Sequence, residues 1–186
     1  GLRWDLARSQ LAIKDYRQGF DNYRYRWDTE EAPPRRVFGV EWSGTRLLNE
    51  PLFVYAEQGF GDYIQCSRYL PLLQKKAANL VVEVKPELRA LMEHSFPAIR
   101  FVDYVEERLD VKDGFIISLL DAPRYFSEEP LQGHAYLQPQ PTSYEFADTL
   151  ANKLADSKSL NVGIIWSGSV TFKRNQFRAA TADWFY

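Results

Sequence analysis

Cysteine is nearly absent from this chain: Cys66 stands alone among 186 residues. A single thiol excludes an internal disulfide and any multi-cysteine metal site, which suits a reducing compartment. Neither charge dominates, with 23 basic against 25 acidic residues and a net charge of -2. No part of the chain is a basic arm, which argues against a nucleic-acid partner, because such binding rests on neutralising phosphates. No apolar run approaches the roughly 18 residues needed to cross a bilayer. No signal-peptide pattern opens the chain, so a soluble, cytoplasmic α/β protein without a transmembrane segment is expected. Ser/His/Asp order, HExxH and Cys-x-x-Cys are all missing, which removes the common hydrolase, metalloprotease and redox readings and leaves no metal site.

What is present is apolar mass. Hydrophobic residues make up 45%, including 12 Phe, 11 Tyr and 5 Trp, enough to build a core and to exclude a disordered or collagen-like chain. The opening on Gly1 inside a helical pattern, and the close on Trp184-Phe185-Tyr186, depart from the polar, frayed ends of most domains. The expectation is a fragment of a longer protein.

Trp4, Ala7 and Leu11, then Tyr16, Phe20, Tyr23 and Trp27, recur at helical spacing, with a break at Lys14-Asp15 that predicts a helix hairpin over 1–28. Residues 29–50, with Pro33-Pro34 and Ser43-Gly44, read as a linker. From residue 51 strands and helices alternate. Leu52–Ala56, Leu80–Val84, Ile99–Val102 and Phe115–Leu120 are short apolar runs of the kind buried in a parallel sheet. Helices are expected between them, one starting at Pro86, and another at about 143–156 with Ser143 as its cap. This predicts a doubly wound, Rossmann-like domain over 51–158. A further buried strand, Asn161–Trp166, opens a second part over 159–186.

Two loops carry the candidate chemistry. The turn Gln58-Gly59-Phe60-Gly61-Asp62 follows the first strand, where open α/β sheets bind ligands. Its glycines permit close backbone approach, and the helix start offers N–H groups. Asp62 can cap the helix or face the cleft and accept a proton, and the two roles are compatible. The second loop is Ser167-Gly168 followed by Lys173, Arg174 and Arg178. It suits a phosphate or diphosphate, though a solvated basic loop has the same composition. His94, before Pro97, reads as a surface or capping residue; His134 sits in a proline-rich loop; Cys66 reads as a small buried residue. A dinucleotide oxidoreductase is disfavoured, since Gly59-Phe60-Gly61 lacks the third glycine and the second strand closes on Val84-Lys85-Pro86 without an acid.

Ala56–Gln65, continuing through Arg68-Tyr69-Leu70-Pro71-Leu72-Leu73, resembles bacterial tetratricopeptide proteins with a C-terminal glycosyltransferase-like domain related to the ADP-heptose:lipopolysaccharide heptosyltransferases. Trp4–Trp27 is similar to a final tetratricopeptide helix pair, with Gly19 where alanine is usual and Lys14 where glycine is. Val162–Gly168 resembles the strand that opens the donor-binding half. The resemblance implies a GT-B architecture, truncated soon after the donor half begins. It implies Asp62 as the base that deprotonates the acceptor hydroxyl, and the group Lys173, Arg174 and Arg178 as holding the departing diphosphate. It also implies a nucleotide-sugar donor with no separate cofactor, a glycan or protein acceptor, and a protein partner on the tetratricopeptide region. Since a whole domain of this kind needs on the order of 100–150 residues, the piece alone is expected to be inactive and to self-associate through its incomplete end. A non-catalytic interaction module of the same build is the rival.

Overall fold

The computed structural model describes residues 1–186 except Glu31, Pro33, Arg46, Gln58, 127–132, His134, 156–161, 165–174, 176–178 and Tyr186. The chain divides into two compact units, residues 1–140 and 141–186.

The first unit begins with the expected hairpin, α1 (Leu2–Ala12) and α2 (Tyr16–Tyr23), extended by a 3-10 turn over Arg24–Asp28. Asp15 caps α2, its carboxylate accepting from the Gln18 amide at 3.3 Å, which supplies one of the N–H partners a helix start lacks. The helices pack closely. A Cβ on Gly19 would lie 2.7 Å from a Leu11 methyl, so the glycine is a consequence of the approach. Lys14, in the turn, has φ +65°, a left-handed conformation that favours glycine.

A five-stranded sheet follows, in the order β1-β5-β2-β3-β4: β1 (Val37–Glu41), β2 (Leu52–Tyr55), β3 (Leu80–Val84), β4 (Arg100–Asp103) and β5 (Leu109–Ser118). Every pairing is parallel. Between β2 and β3 lie α3 (Phe60–Ser67) and α4 (Leu70–Lys76), and between β3 and β4 lies α5 (Pro86–Ser95). After β5, a 3-10 turn over Leu119–Asp121 leads into α6 (Ala122–Phe126). The sheet flanked by helices is the expected α/β architecture and is consistent with a Rossmann-like fold. The core joins Leu52, Val54, Leu70, Leu73, Val82 and Met92, all essentially inaccessible to solvent. Since β2 runs on to β3 and β4 on one side and meets β5 on the other, the strand order reverses between β2 and β5, where ligand sites of such sheets form.

Several expectations need correction. Residues 29–50 are not only a linker, because β1 lies within them and extends the sheet along β5. Its signal is weak because β1 is short, contains Gly39 and buries only Val37. The last strand starts at Leu109 rather than Phe115, and its first half alternates between half-buried and exposed residues. Within it Gly114, at φ +100°, lets the strand pass Pro51, whose carbonyl oxygen would sit 2.3 Å from a Cβ there. It ends at Ser118, whose hydroxyl accepts from the Leu120 amide at 3.1 Å and turns the chain into the 3-10 turn.

In the second unit α7 spans Pro141–Ala155. Proline at a first helical position needs no N–H partner, so the helix starts there and not at Ser143. Phe146, Leu150 and Leu154 lie on it, all exposed. The unit boundary falls ahead of this helix, which the sequence pattern groups with the α/β domain. The buried strand expected over 161–166 does not form where it is described: Val162–Ile164 have no regular structure, and Val162 and Ile164 are exposed. A strand buries its faces only when neighbours pair with it, and no strand occurs among the described residues of 141–186. A 3-10 turn covers Ala182–Phe185.

Lys14→Gly is expected to stabilise the chain. The left-handed residue costs roughly 1–2 kcal/mol, partly cancelled by the greater freedom of unfolded glycine. Thermal unfolding should shift up by a few degrees for Lys14→Gly and down for Lys14→Val.

Candidate functional site

Buried charge organises the C-terminal edge of the sheet. Arg26, in the turn that ends the hairpin, is 5% exposed. Its Nε donates to Glu57 at 3.0 Å, its Nη2 donates to the other Glu57 oxygen, and its Nη1 donates to Asp121 at 2.6 Å. Nη2 also lies 3.3 Å from the Ser118 hydroxyl, which itself donates to Glu57. One guanidinium therefore joins the loop after β2, the end of β5 and the 3-10 turn that follows it. Burial alone would lower the Arg26 pKa, but the hydrogen bonds and charges of Glu57 and Asp121 outweigh it and hold the pKa above its ordinary value. Tyr23 and Trp27 rings lie 5.0 Å from the same group.

A second network lies at β3. Glu83 is fully buried. One of its oxygens accepts from Arg36 and, at 2.9 Å, from the Ala56 amide; the other takes the Val105 amide at 3.3 Å. Arg36 also donates to the Ala56 carbonyl at 3.0 Å and stacks 4.2 Å from the Tyr104 ring centre.

The glycine turn sits directly after this edge. Gly59 is the N-cap of α3 and makes no side-chain cap bond. Asp62 therefore does not cap the helix; it lies in the first turn, where the dipole favours a carboxylate by about 0.3–1 kcal/mol. The buried Tyr63 fixes the turn, since its hydroxyl donates to the Glu83 carbonyl at 2.9 Å. Neither glycine has positive φ. A Cβ on Gly61 would meet nothing within 4 Å, and one on Gly59 only the Asp62 carboxylate at 3.7 Å. The fold does not demand glycine at either position, and the space beside the turn is open. Asp62 is half-buried, and among the described residues its carboxylate has no hydrogen bond or ion pair, unlike Glu57, Glu83 and Asp121.

Two cavities adjoin the edge. One, of about 190 Å³, is lined by residues including Arg24, Arg35, Glu41, Tyr55, Asp121 and Arg124. The other, of about 120 Å³, is lined by Trp27, Arg35, Arg36, Tyr55, Glu57 and Tyr104 among others.

The structure thus brings together Gly59, Gly61 and Asp62. Gln58, Ser167, Gly168, Lys173, Arg174, Arg178 and His134 lie outside the described residues. His94 is exposed in the last turn of α5. Cys66 is half-buried, and burial first, then the neighbouring Asp62 carboxylate, pushes its thiol up to about 12. It is therefore a neutral thiol and a poor nucleophile at ordinary pH. Among the described residues no cluster of His, Cys, Asp or Glu suits a metal ion. No described helix is long and apolar enough to cross a membrane. Sequence reading missed Arg26, Arg36, Glu57, Glu83, Ser118 and Asp121. Glu83 left a signal: a carboxylate inside Leu80-Val81-Val82-Glu83-Val84 must be answered by donors once the run is buried.

Compared with known proteins, the chain is 27% identical over 200 aligned positions to Protein FlbA of Caulobacter vibrioides. The match covers 96% of this chain and 33% of that protein, so the chain spans about a third of its relative's length. No family model matches the chain, and no solved structure matches it significantly.

Arg26→Met leaves Glu57 buried without its cation, which should lower unfolding stability by about 3–5 kcal/mol in urea titration; Arg26→Met with Glu57→Leu should recover part of the loss. For Cys66, a folded pKa of about 12 against an ordinary 9.0 means the folded state holds the proton more tightly. Its contribution is whole below pH 9 and is lost as pH rises towards 12. Cys66→Ala should therefore soften the alkaline fall in stability, measured by denaturant unfolding across that range.

Proposed function

We propose that this chain is the acceptor-side part of an inverting glycosyltransferase of GT-B type, preceded by a tetratricopeptide-like hairpin. The observation that carries the reading is the Gly59–Asp62 turn. Asp62 stands after the central strand with a carboxylate unengaged among the described residues, beside two glycines that leave open space. A general base must be free to take a proton, and Glu57, Glu83 and Asp121 are occupied by arginines. In this reading Asp62 removes the acceptor hydroxyl's proton as the oxygen attacks the sugar's anomeric carbon and the nucleoside diphosphate departs. Ser167, Gly168, Lys173, Arg174 and Arg178 are assigned to that diphosphate, whose charge grows in the transition state.

One observation favours the non-catalytic alternative. Arg26 fills the reversal point between β2 and β5, the place where a doubly wound sheet holds its ligand. A tetratricopeptide-based interaction module would use the sheet as a rigid base for the hairpin.

The chain joined to the donor-binding half that the first reading requires separates the two readings. Asp62→Asn in it should keep the fold and the affinity for a nucleotide-sugar while lowering transfer by roughly 10²–10⁴-fold. Transfer at near wild-type rate in the folded variant removes Asp62 as base. No binding of any nucleotide-sugar in calorimetric titration of the wild type supports the interaction module.

A further inference from the structure

We propose that the cavity between the end of the hairpin and the C-terminal edge of the sheet binds a small oxyanion, a carboxylate or a phosphate group. The proposal does not rest on the sugar-transfer reading. The cavity is lined by Trp27, Arg35, Arg36, Tyr55, Glu57 and Tyr104, with a volume of about 120 Å³. A single water needs about 10–15 Å³ of such space, so a group of several heavy atoms fits.

Two of its lining residues carry buried donors with no acceptor among the described residues, the Trp27 Nε1–H and the Arg36 Nη1. Left unanswered, each buried donor is destabilising, and neither nitrogen can accept a hydrogen bond. The nearest carboxylates are committed elsewhere. Glu57 is held by Arg26 through both oxygens, and Glu83 takes Arg36 Nη2 with the Ala56 and Val105 amides.

The rings of Trp27 and Tyr104 are engaged by cations as well. Arg26 and Arg35 lie 5.0 and 5.1 Å from Trp27, and Arg36 and Lys85 lie 4.2 and 5.2 Å from Tyr104. Stacking on Trp27 or Tyr104 would compete with these cations, whereas the unanswered N–H groups of Trp27 and Arg36 call for an acceptor. Of the charged residues that line it, Arg35 and Arg36 are cationic and Glu57 is anionic, so the lining carries no excess negative charge to repel a monoanion. A group that carries several acceptor oxygens suits such donors, and charge-assisted bonds to a guanidinium favour an anionic one.

The test uses the whole chain, ¹⁵N-labelled, with the Trp27 indole N–H resonance identified by its loss in Trp27→Phe. Sodium acetate, sodium phosphate and neutral acetamide are titrated up to about 100 mM against sodium chloride at matched ionic strength. A ligand that binds only the folded state also raises its thermal midpoint. The expected result is a saturable shift of the Trp27 indole with acetate, phosphate or both, and a higher midpoint, with neither effect from acetamide or chloride. Acetate alone assigns the site to carboxylates, and phosphate alone to phosphates. Trp27→Phe should abolish the midpoint rise. Arg35→Gln, which removes a half-exposed cation from the rim, should weaken binding several-fold with the fold unchanged. Shifts of equal size with chloride or acetamide, or none with either oxyanion, would overturn the proposal and leave a water-filled cavity.

Discussion

The buried Arg26 guanidinium is the contact on which the first unit depends. A cation so fully removed from water is tolerable only when its donors and its charge are answered. Glu57 after β2, and Ser118 with Asp121 at the end of β5 and in the turn that follows it, answer them from two distant segments of the chain. The hairpin can therefore sit in one place only, over the ends of β2 and β5. The same contact aligns those two strand ends with each other, since Ser118 also bonds Glu57. Aromatic rings of the hairpin, Tyr23 and Trp27, cover the guanidinium and limit its exposure.

A second arginine repeats the arrangement one strand further along. Arg36, from the segment leading into β1, reaches Glu83 in β3 and the backbone of Ala56. Together the two ion pairs tie the chain before the sheet to the strand ends on which an α/β fold builds its sites. They also decide which polar groups are left over. Glu57 and Glu83 are consumed in holding the architecture, while Asp62, two short turns away in sequence and anchored through Tyr63, keeps its carboxylate unengaged among the described residues. Arg36 and Trp27 each keep a donor that no described residue accepts. The chemistry available at this edge is thus defined by subtraction from the structural network.

The strands with continuous apolar runs were legible from residue types alone, because β2 and β3 sit inside the sheet and need no polar face. β1 was not, since an edge strand of five residues that buries only Val37 leaves little pattern. The start of β5 was hidden for a similar reason: Leu109-Asp110-Val111-Lys112 reads as a polar loop until its partner β1 is known. At the site, Gly59, Gly61 and Asp62 stood out because glycines and an acid after an apolar run are rare together. Arg26 looked like one more cation in an aromatic helix, and nothing local marked its partner 31 residues away. The apolar run around Val162 shows the opposite error: its composition suits a buried strand, yet Val162 and Ile164 lie exposed where no neighbouring strand is described.

Local sequence therefore determined the hairpin, the alternation of strands and helices, and the position of the turn that carries Asp62. These follow from periodicity, proline and glycine, which act within a few residues. The strand order, the burial of Arg26 and Glu83, and the identity of the unengaged groups were decided only in three dimensions. Charge pairing in a buried edge depends on which distant segments meet there, and desolvation assigns its cost after that meeting, not before.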